Sequence, residues 1–328
     1  MDGEITHITF ISNYMANIEV MASLVIIVII GFIAGKIGYM DEAFDKRLSA
    51  LIVNITCPAL ILSSTMGETL PDRNMILPLL GISFLTYIML TAISYFVPPL
   101  LTRNKDDEGI VGFALMFGNV GFIGYPIVAS IFGYHAVFYA AILNVANTFF
   151  VFTIGNMLIT GWGTAQGETR HGRIHLHIRK KVLYSTPMIA AYLSMLIVTM
   201  GIDGIPGAIS KPLTMIGNIT VPGALLIIGS TMAQLSGRAM LGTPTVYATS
   251  VCRLVLIPLA LYLLFSALGF SQFVVNINTI IIAMPVATYG TILCLINGRD
   301  TTLMTEMTFT TTVLSMITIP LLAHAFGY

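Results

Sequence analysis

The sequence predicts an all-α membrane protein of ten transmembrane helices, arranged as two inverted five-helix repeats. Hydrophobic residues fill 56% of the 328 positions, charged residues fill only 9%, and the mean hydropathy is +0.90. A soluble domain carries about 25% charged residues, so most of this chain is expected to lie where charge is unfavourable. Apolar stretches of bilayer-spanning length recur along the chain, and one long polar stretch, 161–182, divides them into two groups of five.

Each predicted helix rests on a mostly apolar run, since a helix needs about 20 such residues to cross a bilayer. We place helices 1 to 10 at 18–39, 47–66, 75–98, 110–132, 136–160, 183–201, 208–234, 245–268, 274–297 and 302–326. Helices 2 and 7 are the least regular, because each contains an Asn and a Pro. The first repeat is therefore predicted to be 1–160, followed by the basic loop 161–182 and the second repeat 183–328.

The distribution of Lys and Arg predicts the orientation in the membrane. With the N-terminus outside, the cytoplasmic loops and helix ends hold twelve of the fifteen basic residues. The outer loops hold two, Arg73 and Lys211, and Arg253 lies within helix 8. Because basic residues concentrate on the cytoplasmic side, we expect both termini outside the plasma (inner) membrane and the central loop in the cytoplasm.

A short motif occurs once in each half of the chain. Helix 2 reads Asn54-Ile-Thr-Cys-Pro58, and helix 7 reads Asn218-Ile-Thr-Val-Pro222. Five is an odd number, so the second group of helices must enter the membrane from the side opposite to the first. Repeats of this inverted kind are typical of secondary transporters.

Helices 4 and 9 each carry helix-breaking residues at their middle. Helix 4 contains the run from Gly118 to Pro126, and helix 9 contains the run from Met284 through Pro285 to Gly290. A simple kink is the alternative, but matching breaks in two repeats indicate a binding site. We expect both prolines in the first turn of the half-helix that follows. Two half-helix N-termini would then meet near the midplane and favour an anion.

Motifs along nearly the whole chain resemble the auxin efflux carrier family, in its prokaryotic form with a short central loop. The motifs are the run Gly31 to Pro58 with its basic turn Lys46-Arg47, Asn119-x4-Gly124-x-Pro126, Ala283-Met-Pro285-Val-Ala, and the run Thr310 to Pro320. The resemblance implies crossed, broken helices 4 and 9, as in sodium/proton antiporters and bile-acid symporters. It also implies a scaffold of helices 1, 2, 6 and 7 and a moving transport domain of helices 3–5 and 8–10.

The function implied is secondary active transport of a small organic anion, a carboxylate, by an elevator-type mechanism, as an exporter or an ion-coupled permease. A proton or sodium ion is the expected coupling partner, and a homodimer through the scaffold helices is left open. One position departs from the family: relatives often place an Asn shortly after the helix 9 proline, where this chain has Tyr289 and Gly290. The second half of the anion site is therefore expected to differ.

Polar and helix-breaking residues at membrane depth are the candidate site. The predicted cargo-binding residues are Asn119, Gly121, Gly124, Pro126, Asn144, Asn147, Pro285, Thr288, Tyr289 and Arg253. Asn144 and Asn147 share a helix face, and Arg253 is a fixed charge expected to attract the anion or to balance Glu306. Glu306 is the candidate ion-coupling group, because all Asp residues fall in loops or helix ends. Interhelical hydrogen bonds are the alternative role for such Asn residues.

Other function classes find little support in the sequence. It contains no HExxH, no Gly-x-Ser-x-Gly and no Asp pair at membrane depth, so we predict no enzyme, catalytic residue, metal site or cofactor. The balanced charge, with fifteen basic and fifteen acidic residues, argues against a nucleic-acid partner. A transporter-like sensor or receptor for a small organic acid is the alternative that remains.

Overall fold

The computed structural model describes residues 23, 26–67, 71–160, 186–202, 205–234 and 242–326. Within these ranges the regular elements are helices, apart from one isolated antiparallel bridge between Gly118 and Val286. The helices are α1 Ile26–Lys36, α2 Glu42–Ser63, α3 Arg73–Phe96, α4a Lys105–Met116, α4b Val120–Phe132, α5 Ala136–Phe150 continuing as Thr153–Thr160, α6 Thr186–Met200, α7 Gly207–Gln234, α8 Pro244–Ala267, α9a Gln272–Ile282, α9b Tyr289–Ile296 and α10 Thr302–Ala325. A single turn, Pro98–Leu101, joins α3 to α4a.

Several of these helices are long and apolar enough to cross a bilayer. Five qualify, namely α2, α3, α7, α8 and α10, and α5 makes a sixth if its two parts, bent by 41°, form one span. The described chain is therefore an all-helical, multi-pass membrane protein, as predicted. The count of ten spans stays a prediction. The start of predicted helix 1 and the loop 161–182 lie outside the described residues.

Prolines explain where three of the helices widen into π-turns. The turns Ile52–Thr56, Val120–Gly124 and Cys252–Leu256 each end two residues before a proline, at positions 58, 126 and 258. A proline has no N–H to donate to the carbonyl four residues earlier, and its ring crowds that carbonyl. The widened turn accommodates both effects. The last of the three turns contains Arg253.

Helix packing divides the described chain into groups. Helix α2 packs against α6 and α7, whereas α3 packs against α4a and α5, and α8 packs against α9a and α10. Helix α1 lies close against α7, where a methyl group at Gly31 would overlap the backbone of Leu226 and one at Gly229 would overlap that of Val28. Small residues that let helix backbones approach in this way are typical of membrane interfaces.

Large apolar side chains cover much of the outer surface. Leu77, Leu259, Leu263, Ile317 and Leu321 are all exposed. A soluble monomer rarely exposes apolar patches of this extent, but lipid tails solvate such side chains. The outer surface therefore fits a hydrocarbon environment, and the polar interior described below is enclosed by it.

Candidate functional site

Both predicted segments 4 and 9 are interrupted, and the two breaks pair with each other. The first break, 117–119, separates α4a from α4b, and the second, 283–288, separates α9a from α9b. The Asn119 N–H donates to the Pro285 carbonyl at 2.7 Å, and the Ala287 N–H donates to the Phe117 carbonyl at 3.0 Å. These bonds flank the antiparallel bridge between Gly118 and Val286. Each break thus satisfies backbone groups of the other, as burial at membrane depth requires.

A hydroxyl from α10 fixes the second break. The Val286 N–H donates to Oγ1 of Thr311 at 3.0 Å, and Thr311 is fully buried. In the sequence, the threonine run at 310–312 is only part of the family resemblance and has no assigned role. Its role here is to satisfy a buried backbone donor that would otherwise have no partner.

The paired breaks border a cavity of about 160 Å³. It is lined by Gly118, Asn119, Val120, Gly121, Asn144, Asn147, Thr148, Val151, Ala287, Thr288 and Tyr289. Its wall therefore includes the N-terminal ends of α4b and α9b together with one face of α5. A helix N-terminus carries about half a positive charge and presents N–H groups, so two such ends on one cavity favour an anion.

Asn119 stands out among the lining residues, because its side chain is unengaged. It is the N-cap residue of α4b, yet its carboxamide does not cap that helix. The carboxamide also forms no hydrogen bond to any other residue in the described ranges, although the residue is only 7% exposed. A buried carboxamide normally finds a partner. The group is thus free to donate to, or accept from, a molecule in the cavity.

Asn144 and Asn147 line the same cavity, as predicted, but their carboxamides already have partners. The Tyr87 hydroxyl donates to Asn147 Oδ1 at 2.8 Å, and Asn147 Nδ2 donates to Asn144 Oδ1 at 2.8 Å. Asn144 Nδ2 in turn donates to the Tyr125 hydroxyl, also at 2.8 Å. The chain of bonds joins α3, α5 and α4b. These bonds hold both carboxamides in place, so the two residues brace the wall of the cavity and have only part of their hydrogen-bonding capacity left for a cargo.

Comparisons with known proteins identify the family. A family model described as "Membrane transport protein" matches residues 16–323, which is most of the chain. The chain belongs to the auxin efflux carrier family. Two archaeal relatives match nearly end to end: an uncharacterized transporter of Methanothermobacter thermautotrophicus is 25% identical over 94% of this chain and 98% of its own. An uncharacterized transporter of Methanocaldococcus jannaschii is 24% identical over the same shares.

Pro126 and Pro285 lie at different positions relative to the half-helices that follow the breaks. Pro126 lies in the first turn of the α-helical segment Tyr125–Phe132, but α4b itself begins with the π-turn at Val120, so the predicted first-turn position holds for that segment and not for α4b as a whole. The same prediction for Pro285 is wrong: it lies within the second break, four residues before α9b begins, and its carbonyl accepts the Asn119 N–H. A proline suits that position, because the break pairs through its carbonyl and requires no N–H from it. Neither proline lines the cavity.

Three further predicted site residues of the carrier lie away from the cavity. Gly124 packs on Ile281 and Met284 instead of facing the open space. Arg253 is buried beside the breaks, and Glu306 is half-buried on α10. No ion pair joins Arg253 to Glu306 in the described part of the chain. Of the predicted cargo-binding set, Asn119, Gly121, Asn144, Asn147, Thr288 and Tyr289 do come together.

A buried carboxylate on α2 was not singled out by the sequence. Asp45 is 7% exposed, and its Oδ2 accepts hydrogen bonds from Ser230 Oγ at 2.7 Å and Gln234 Nε2 at 2.8 Å. It ties the start of α2 to the end of α7. An Asp in the first turn of a helix is common, because it complements the helix dipole, so position alone gave no signal of this contact.

Proposed function

We propose that this protein is a secondary active transporter that moves a small organic anion, a carboxylate, across the plasma (inner) membrane. One observation carries the cargo class: the paired breaks bring two half-helix N-termini and the unengaged carboxamide of Asn119 to one cavity. The partial charges of the two helix ends sum to about one positive charge, and the carboxamide supplies direction. Membership of a transporter family supports the transport step itself.

The volume of the cavity indicates the size of the cargo. A protein cavity of about 150 Å³ can hold a benzene-sized molecule, and this cavity measures about 160 Å³. A short dicarboxylate or a small aromatic acid has that size. The cavity wall also includes the apolar side chains of Val151 and Ala287, which suits a cargo with one apolar side.

A contact between the two halves supports the inverted repeat. Thr56 and Thr220 occupy equivalent positions in the repeated Asn-Ile-Thr-x-Pro motif, and their hydroxyls are hydrogen-bonded at 2.9 Å. Both residues are buried. Equivalent residues of two repeats touch where the pseudo-two-fold axis passes between them. We therefore propose repeats 1–160 and 183–328, with ten spans and with helices 4 and 9 crossing at their breaks.

The position of the cavity supports an elevator-type alternating-access mechanism. Every residue that lines it belongs to α4b, α5 or α9b or to one of the two breaks. These elements fall in the proposed transport domain, α3–α5 with α8–α10, while α2 packs on α6 and α7 in the proposed scaffold. A cargo bound there would travel with the moving domain. A proton or sodium ion stays the proposed coupling partner, with Glu306 as the candidate ion-coupling residue.

A thermal-shift screen of the purified protein against small organic acids tests the proposal. A ligand that binds only the folded protein raises its apparent stability, so at least one acid should raise Tm. Asn119→Ala should weaken binding of that acid by roughly threefold to tenfold, since a lost hydrogen bond costs about 0.5–1.5 kcal/mol. Titration calorimetry gives the two Kd values. Asn74→Ala, an exposed position on the turn at the start of α3, is the matched control.

Two outcomes would count against the cargo site. One is that no organic acid shifts Tm, and the other is that Asn119→Ala binds the acid as tightly as the wild type does. Flux in proteoliposomes then separates the two function classes. An acid that binds the wild type tightly, and Asn119→Ala more weakly, but is never carried across the bilayer would favour the sensor or receptor.

The predicted topology is tested by cysteine labelling. In a background without the three native cysteines, Gly167→Cys should resist an impermeant thiol reagent in sealed cells, because the basic loop 161–182 is expected in the cytoplasm. Arg73→Cys, on an exposed outer turn by the same reasoning, should label readily. The reverse pattern would invert the proposed orientation.

A further inference from the structure

The side chain of Arg253 connects α8 to both breaks. It is only 1% exposed. Its Nη1 donates to the Leu115 carbonyl at 2.8 Å, and its Nε donates to the Met284 carbonyl at 3.2 Å. No carboxylate pairs with it anywhere in the ranges that the structure describes. An unpaired charge at membrane depth is unfavourable and commonly marks a functional position.

The two carbonyls that Arg253 binds lie where α4a and α9a end at the breaks. Leu115 lies in the last turn of α4a, and its regular donor would be the Asn119 N–H, which bonds to Pro285 instead. Met284 lies just beyond the end of α9a. The Leu115 carbonyl is thus a free carbonyl of the last turn of α4a, and the Met284 carbonyl lies in the second break next to the C-terminus of α9a.

The charges at this point balance without a carboxylate. A helix C-terminus carries about half a negative charge, so the ends of α4a and α9a together present about one. The guanidinium of Arg253 carries one positive charge. In transporters with discontinuous helices, unwound carbonyls and half-helix C-termini of this kind coordinate the coupling cation. Here a side chain of the protein supplies the cation.

The surrounding residues fit the guanidinium closely. A methyl group at Gly118 would overlap its Nη2 and would come within 3.1 Å of the Met284 Cβ. The π-turn Cys252–Leu256 in α8 presents Arg253 at this level. The guanidinium is thus enclosed. Arg253 does not line the cargo cavity itself, but it packs against Gly118, which does.

We propose that Arg253 is a tethered cation that fills a cation site between the two half-helix C-termini. While its side chain is present, the site takes no metal ion, and Na⁺ is not bound there. Removing the side chain leaves a site of carbonyl oxygens that accepts a small free cation. Free guanidinium should bind there more tightly than Na⁺. This proposal concerns the C-termini of α4a and α9a, whereas the cargo site is built on the N-termini of α4b and α9b. It can therefore be tested without knowing whether an anion binds.

Chemical rescue of Arg253→Ala tests this inference. The full-length variant in detergent should unfold at a lower Tm than the wild type, and millimolar guanidinium should raise that Tm in a saturable manner. Na⁺ should produce a smaller saturable rise relative to choline at equal ionic strength. The wild type should show no guanidinium rise, and a sodium rise from a coupling site elsewhere would be common to both proteins, so the expected difference is a larger sodium rise in Arg253→Ala than in the wild type. Arg103→Ala, which removes an exposed arginine, serves as the matched control. The measurement uses no cargo, so a failed acid screen would not affect it.

Two results would overturn the tethered-cation proposal. One is an Arg253→Ala protein that responds to guanidinium no more than the Arg103→Ala control does. The other is a sodium-specific rise of equal size in the wild type and in Arg253→Ala. If Arg253→Ala does not survive purification, Arg253→Gln, which keeps one donor, replaces it. Should both fail, folded protein recovered only when guanidinium is present during solubilisation supports the proposal, and no recovery contradicts it.

Discussion

Gly121→Leu should abolish cargo binding while leaving the fold intact. Gly121 lines the cavity, and a Cβ at this position would meet no neighbouring atom within 4 Å. A leucine side chain would therefore start in open space and extend into the space that the cargo needs. We expect Kd for the bound acid to rise by at least roughly tenfold, which corresponds to about 1.4 kcal/mol. Calorimetry and proteoliposome flux measure the loss.

Gly81→Leu is the matched control for this substitution. Gly81 is also a helical glycine whose Cβ would meet no atom within 4 Å, but it lies on the exposed face of α3. Binding should be unchanged there, and Tm should not fall in either variant. Normal cargo affinity in Gly121→Leu, with the protein folded, would place the cargo somewhere other than the cavity at the breaks.

Gly118→Val should destabilise the protein more than any other single change at the breaks. Its side chain would overlap the Arg253 guanidinium and press on Met284. Overpacking of this kind costs about 1–3 kcal/mol. If Arg253 is displaced, each buried carbonyl left without a donor costs about 1–3 kcal/mol more. We expect a clear fall in Tm in detergent, together with loss of transport.

Gly124→Ala provides the comparison for this second substitution. A Cβ there would lie 3.4 Å from Ile281, Met284 and Val120, which is ordinary van der Waals contact. Its Tm should therefore stay close to that of the wild type. If Gly118→Val were as stable as Gly124→Ala, the close approach of Arg253 to the first break would not matter for folding.

The family, the membrane location and the positions of both breaks could be predicted from the sequence alone. Composition and apolar run length decide between lipid and water as the solvent. Proline and glycine act on the backbone locally, so the residue types themselves predict the interruptions near Gly118 and Pro285. Asn119 could be chosen as the leading cargo residue for the same reason, since it is a polar residue at an interrupted point of an apolar helix.

Only the tertiary structure decided which polar groups are free and which are already paired. The sequence grouped Asn144 and Asn147 with Asn119 as candidate cargo residues. In the structure the hydroxyls of Tyr87 and Tyr125 bond to the carboxamides of Asn147 and Asn144, whereas the Asn119 carboxamide has no partner among the described residues. Hydrogen-bond satisfaction depends on groups that are distant in sequence.

The hydrogen-bond partners of Arg253 likewise could not be predicted from the sequence. From the sequence it was a positive charge at membrane depth, open to the anion or to Glu306. The structure turns it toward the carbonyls of Leu115 and Met284, which lie 138 and 31 positions away along the chain. The Leu115 carbonyl needs a donor because the Asn119 N–H bonds to Pro285 across the breaks, and the Met284 carbonyl lies in the second break, outside α9a. A local pattern shows that a helix is interrupted, but what satisfies the freed backbone groups is decided by the elements that fold against it.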